Sequence, residues 1–179
     1  MPVKVINYTR DMTIASPVYL DANVLISRFF RNHAKYAAAM HILFELFAQQ
    51  VEICISTLVI DEVWWGLLGE WYFADTNTKI TTKKIRNNPD ILGRYHNRFQ
   101  DITSNMLSWL NIKLLPTDSI NAKETVERAL DFLTQENIQP RDSFHLALAT
   151  LSNVTGFVTS DSDFDNIVLP EADLTIYKY

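Results

Sequence analysis

The stretch Val18-Tyr19-Leu20-Asp21 constrains this chain most. A short apolar run stops abruptly at a carboxylate, and an apolar helical pattern resumes at Val24. That pattern is a buried strand followed by a helix, with Asp21 at the junction. The alternation recurs along the chain. Glu52–Ile55 reads as a strand, then Ser56 or Thr57 caps a helix through Glu62, Trp65, Leu68 and Trp71. Ile112–Leu115, closed by Pro116, is followed by a helix that Asp118 caps, running through Val126, Leu130 and Leu133. Phe157–Thr159 after Gly156 and Leu174–Tyr177 complete the strands. Between them, helical spacing marks His33–Gln50, Ile91–Leu110 and Asp142–Ser152, the last opened by Pro140 and Arg141. Strands alternating with helices imply an α/β fold. We expect a three-layer α/β/α sandwich around a central, mainly parallel sheet of about five strands.

A length of 179 residues suits one domain, expected over residues 18–179. Residues 1–17 read as an edge strand or an arm, from the weak alternation over Val3–Tyr8, and residues 71–110 as an extended central helical region. Asp75–Pro89 is the most polar stretch: Asp75–Thr78 reads as a loop, and Asn87–Asp90 as a turn before the next helix. No run of about 18 apolar residues is present, so no spanning helix and no membrane partner are expected. The N-terminal sequence lacks a secretory signal pattern. The single Cys54, inside an apolar run, reads as a small buried residue in a reducing cytoplasm. A net charge of −5 argues against binding nucleic acid by overall basicity, yet suits a site whose acids recruit a cation.

Asp21, Glu62, Asp142, Asp161 and Asp163 share one kind of address, the boundary between a strand and a helix or the first turns of a helix. Singly, the aspartates have ordinary explanations as helix caps or turn residues. Glu62 does not, because Val59, Ile60, Val63 and Trp64 surround it, and an unpaired carboxylate beside apolar surface is costly. In an open parallel sheet, ligands bind at the carboxyl ends of the strands. Carboxylates gathered there repel one another unless a cation sits among them. Hard oxygen donors without a cysteine or histidine cluster suit Mg²⁺ or Mn²⁺. Such an ion lowers the pKa of a bound water and offsets phosphodiester charge.

At these residues the chain resembles the PIN-domain family, which includes the VapC-type toxins. LDANVLI resembles the opening strand, with Asp21 as first acid. Ser56 to Glu62 resembles the second motif, RDSFHLALA (Arg141–Ala149) the third, with Asp142, and FVTSDSDF (Phe157–Phe164) the fourth, with Asp161 and Asp163. The resemblance implies a divalent-metal-dependent ribonuclease with Asp21, Glu62, Asp142 and Asp161 as catalytic acids and Asp163 as a further metal ligand. For many bacterial and archaeal members it also implies an RNA-cleaving toxin neutralised by a small antitoxin, and a homodimer. Two departures stand out. Ala22 replaces the hydroxyl residue that often follows the first acid, and the chain exceeds the compact toxins by its N-terminal arm and residues 71–110.

Other residues carry two readings each. Lys83, Lys84 and Arg86, with Lys79, Arg94 and Arg98 near them, are either a phosphate-contacting patch or a solvated face. Asn23 and Ser160, beside the acids, are candidate substrate contacts, and Ser143 could bond a phosphate or bound water. Trp64, Trp65, Trp71, Tyr72 and Phe73 either stack on bases or, as we expect, pack in a core or dimer interface. His145, three residues after Asp142 and flanked by Phe144 and Leu146, reads as a packed histidine. Two rival functions remain open. One is a non-catalytic interaction module; the other is an aspartyl phosphatase using Asp21, which would want an acid where Asn23 stands.

Overall fold

The computed structural model describes residues 3–115, 122–136, 138–168 and 173–179. Its strands are β1 (Lys4–Asn7), β2 (Val18–Leu20), β3 (Ile53–Ile55), β4 (Ile112–Leu114), β5 (Gly156–Thr159) and β6 (Thr175–Lys178). They form one sheet in the order β1-β6-β5-β2-β3-β4, parallel at every pairing. The expected five strands become six because Lys4–Asn7 pairs with β6 at the sheet edge, Val5 opposite Ile176. β2, β3 and β5 are buried at every residue, which is why they read as continuous apolar runs. β1 and β4, at the two edges, are mixed in burial.

Among the described residues, seven α-helices flank this sheet as an α/β/α sandwich: α1 (Ala22–Phe29), α2 (Tyr36–Ala48), α3 (Thr57–Thr76), α4 (Thr82–Asn87), α5 (Asp90–Leu107), α6 (Ala122–Gln135) and α7 (Pro140–Leu151). Ser56 is the cap of α3, its hydroxyl accepting from Val59 N at 3.3 Å. From β2 the chain moves outward to β3 and β4 on one side, then crosses to β5 and β6 on the other. The carboxyl ends of β2 and β5 therefore flank the point where strand order reverses, the crevice open parallel sheets offer to ligands. Asp21 follows β2 directly, and Asp161 lies two residues past the end of β5.

Three segments depart from expectation. Asp75 and Thr76 belong to α3 rather than to a loop, because α3 continues along α5: Tyr95 Oη donates to Asp75 Oδ2 at 2.9 Å and Trp71 stacks on Tyr95 at 6.0 Å. Asn77, in the left-handed conformation at φ 52°, then ends the helix. The polar stretch contains the short helix α4, capped by Thr81, which accepts from Lys84 N at 3.2 Å. The helix expected from His33 begins only at Tyr36, with His33 held by Ser27 Oγ at 3.0 Å. The roles given to Pro116 and Asp118 lie outside the described residues. Cys54 is buried, and burial pushes its thiol up to about 11. No helix among the described residues is long and apolar enough to cross a membrane.

Candidate metal centre

Asp21 is 6% exposed at the end of β2, with its amide donating to Val158 O of β5 at 3.1 Å. It occupies the N-cap position of α1 but makes no side-chain cap bond. Instead Asp21 Oδ2 accepts Asn23 Nδ2 and Thr159 Oγ1, each at 2.6 Å. Asn23 is itself fixed, its Oδ1 accepting Ser160 N at 3.2 Å and Tyr179 Oη at 3.3 Å. The first acid is thus aimed by donors from α1 and β5 and is not an ordinary helix cap.

Glu62 reaches the same place from α3. His145 Nε2 lies 2.8 Å from Glu62 Oε2, and the other ring nitrogen, Nδ1, lies 2.9 Å from Tyr19 Oη. Tyr19 Oη is in turn 2.6 Å from Ser56 Oγ. Because Ser56 Oγ already accepts from Val59 N, a consistent proton order runs Ser56 to Tyr19 to His145 Nδ1, leaving Nε2–H to donate to Glu62. Ligand atoms of Asp21, Glu62 and His145 lie within 4.8 Å of one another. The packed histidine of the sequence is buried at 1%, yet its ring edge holds a catalytic candidate.

Asp142 sits in the first turn of α7, whose cap position is Gln139. Burial first, then the charges of Asp161 and Asp21, push its carboxyl up to about 7. Burial also raises Asp21, against the opposing pull of His145 and Thr159. For His145, burial pulls downward, but the bond to Glu62 and the charges of Asp21 and Glu62 outweigh it, so its pKa rises. Asp161 caps the turn at Ser162–Phe164, accepting Asp163 N at 3.0 Å, and Lys178 Nζ donates to its carbonyl. Asp163 Oδ2 accepts Gln139 Nε2 at 3.1 Å. Arg141 bridges two acids of α3, with Nε 3.4 Å from Glu62 Oε1 and an amino nitrogen 3.6 Å from Asp61 Oδ2.

These residues fit a divalent cation by their own chemistry. Their donors are carboxylate oxygens, with both His145 ring nitrogens engaged by Tyr19 and Glu62, and the crowding of acids that raises Asp142 is what a cation would relieve. Lys83, Lys84 and Arg86 lie on α4, and no ion pair or hydrogen bond joins them to the acids. Ser143 Oγ donates to Pro140 O at 2.7 Å, so it stabilises the start of α7. Tyr19, Thr159 and Arg141 were not marked as site residues by the sequence. Only Arg141, adjacent to Asp142, carried a signal there.

A family model of the PIN domain matches residues 18–168. No curated protein matches the chain. Among solved structures, VapBC2 from Rickettsia felis, bound to a DNA fragment from its promoter, superposes with a TM-score of 0.55 at 18% identity, over 90% of this chain and 98% of that one. VapC20 of Mycobacterium tuberculosis, a toxin that cleaves the sarcin-ricin loop, gives 0.52 at 14% identity, over 83% and 92%. At those identities the likeness is one of fold; with the family match over residues 18–168, it makes this chain a member of the PIN-domain family.

Proposed function

We propose that the chain is a divalent-metal-dependent ribonuclease. The observation that carries the reading is the convergence of Asp21, Glu62 and His145 within 4.8 Å, beside Asp142, whose carboxyl is pushed to about 7 by burial and by the charges of Asp161 and Asp21. Asp21, Glu62, Asp142 and Asp161 would hold Mg²⁺ or Mn²⁺, with Asp163 as a further ligand. When bound, the ion supplies a more acidic water and offsets phosphodiester charge. The protein's own part is orientation. Asn23 and Thr159 fix Asp21 Oδ2, and His145 fixes Glu62 Oε2. Arg141, between Glu62 and Asp61, places a cation where an RNA phosphate would approach. Two solved relatives of this fold are VapC-type toxins, one of them in a VapBC assembly, which supports a small antitoxin as partner. A homodimer and a cytoplasmic site of action belong to the same proposal.

The test is cleavage of a panel of RNAs, tRNA included, with Mg²⁺ or Mn²⁺, beside an EDTA control and Asp142→Asn. Cleavage should need the metal and fall by about two to three orders of magnitude in Asp142→Asn, the scale of losing one preorganised charged group. One observation favours the interaction-module reading: Glu62 is already paired to Arg141 and His145. A folded protein whose melting temperature ignores Mn²⁺ would establish that reading instead.

A further inference from the structure

Beside the acidic centre lies a groove of about 450 Å³ between α3, α4 and α5 that the mechanism does not use. Its walls include Asp61, Trp64, Trp65, Gly93, His96 and Phe99. Trp64 and Trp65 are 41% and 42% exposed, a large aromatic area to leave against water. Trp64 is locked in place, its Nε1 donating to Thr103 Oγ1 at 2.9 Å and its ring 6.0 Å from Phe99. Trp65 has no ring contact or hydrogen bond among the described residues. The groove joins the acidic centre through one side chain, since Arg141 pairs both with Asp61 in its wall and with Glu62.

We propose that this groove receives an unstacked nucleobase of the RNA substrate and so selects where the chain is cut. The inference rests on the ribonuclease reading and adds to it the part of the substrate that is recognised. Three observations favour a base over a segment of protein. Its volume lies within the range of about 300–1,000 Å³ typical of small-molecule sites rather than forming a flat docking face. Aromatic walls offer stacking surfaces, while the Asp61 carboxylate and the His96 ring offer hydrogen bonds to a base edge. The segment that supplies Ile85, Leu92, Gly93 and His96 to the groove is basic: residues 79–98 carry six Lys and Arg against the single Asp90, in a protein of net charge −5. Lys83, Arg86 and Arg94 are exposed and form no ion pair among the described residues, which leaves their charges open to phosphates that flank the base.

The test compares a short fluorescent single-stranded RNA with the same RNA made abasic, by anisotropy in EDTA so that nothing is cleaved. The abasic RNA should bind about 5- to 150-fold more weakly, the range for losing one stacked base. Trp65→Ala should weaken the intact RNA by the same span and leave the abasic RNA unchanged, while Trp65→Phe keeps the discrimination. Gly93→Leu is a second variant made from the other wall. A Cβ there meets nothing within 4 Å, so the larger side chain starts from open space on the groove wall and should erase discrimination. Equal affinity for the two RNAs, or equal losses on both in Trp65→Ala, overturns the pocket. So does a change of oligomeric state in Trp65→Ala with RNA affinity unmoved, which would assign the groove to a second copy. Metal-dependent cleavage without base discrimination sinks the pocket alone; base-dependent binding without cleavage sinks the ribonuclease reading alone.

Discussion

Tyr19 is fully buried with its hydroxyl 2.6 Å from Ser56 Oγ and 2.9 Å from His145 Nδ1. Removing that oxygen leaves two buried polar atoms without this partner, at a cost of about 1–3 kcal/mol. Tyr19→Phe should therefore lower stability by about that amount in urea denaturation. It should also weaken Mn²⁺ binding by about 10- to 100-fold, because the ring that orients Glu62 loses its own anchor. A variant destabilised to that extent but binding Mn²⁺ as wild type does would make the relay purely structural. The positions of the aspartates were legible because each stands where an apolar run or helical pattern changes, and that of Glu62 because apolar residues surround it, both local signals. The relay was not. Tyr19 lies inside an apolar run, and its partners are 37 and 126 residues away in sequence.

At the level of elements, two glycines with opposite surroundings show how the sheet and the added helices differ. A Cβ on Gly156 would lie 2.6 Å from Val18 Cγ1 and 3.0 Å from Tyr177 Cε2, because β5 is packed between β2 and β6. Gly156→Ala should cost about 1–3 kcal/mol by overpacking. A Cβ on Gly93 of α5 meets open space, and Gly93→Ala should stabilise by about 0.5–1 kcal/mol through helix propensity. Chemical denaturation of the two variants checks both signs, and equal effects would contradict this packing. Strands buried on both faces left an unmistakable apolar trace in the sequence. The reach of α3 to Thr76 did not, since Asp75 and Thr76 are poor helix residues held by Tyr95 and by α5.

For the whole molecule, crowded acids make stability depend on pH and metal together. Asp142 titrates from 3.8 when unconstrained and at about 7 in the fold, so the folded state binds this proton more tightly and loses stability as pH rises between those values. Asp21, raised by burial, acts in the same direction. His145, raised above 6.5, stabilises while protonated and loses that contribution as pH climbs through its folded value. In EDTA the melting temperature should therefore fall from about pH 5 to 8. Mg²⁺ needs the deprotonated ligands, so its stabilising effect should grow over the same interval. At 100 times Kd that effect is about 2.7 kcal/mol, or roughly 5–10 °C for a chain of this size. Differential scanning fluorimetry at the two pH values tests this, and a metal shift that is the same at both would contradict it. By itself, the sequence determined the alternation of strands and helices, and with it the edge of the sheet to which the acids are delivered. These follow from period and burial, which each segment carries locally. Tertiary structure alone decided which side chains meet: the Ser56–Tyr19–His145–Glu62 relay, the Arg141 bridge from Glu62 to Asp61, and an aromatic groove opening beside them. Those contacts join residues far apart in the chain, and no local pattern specifies a distance between them.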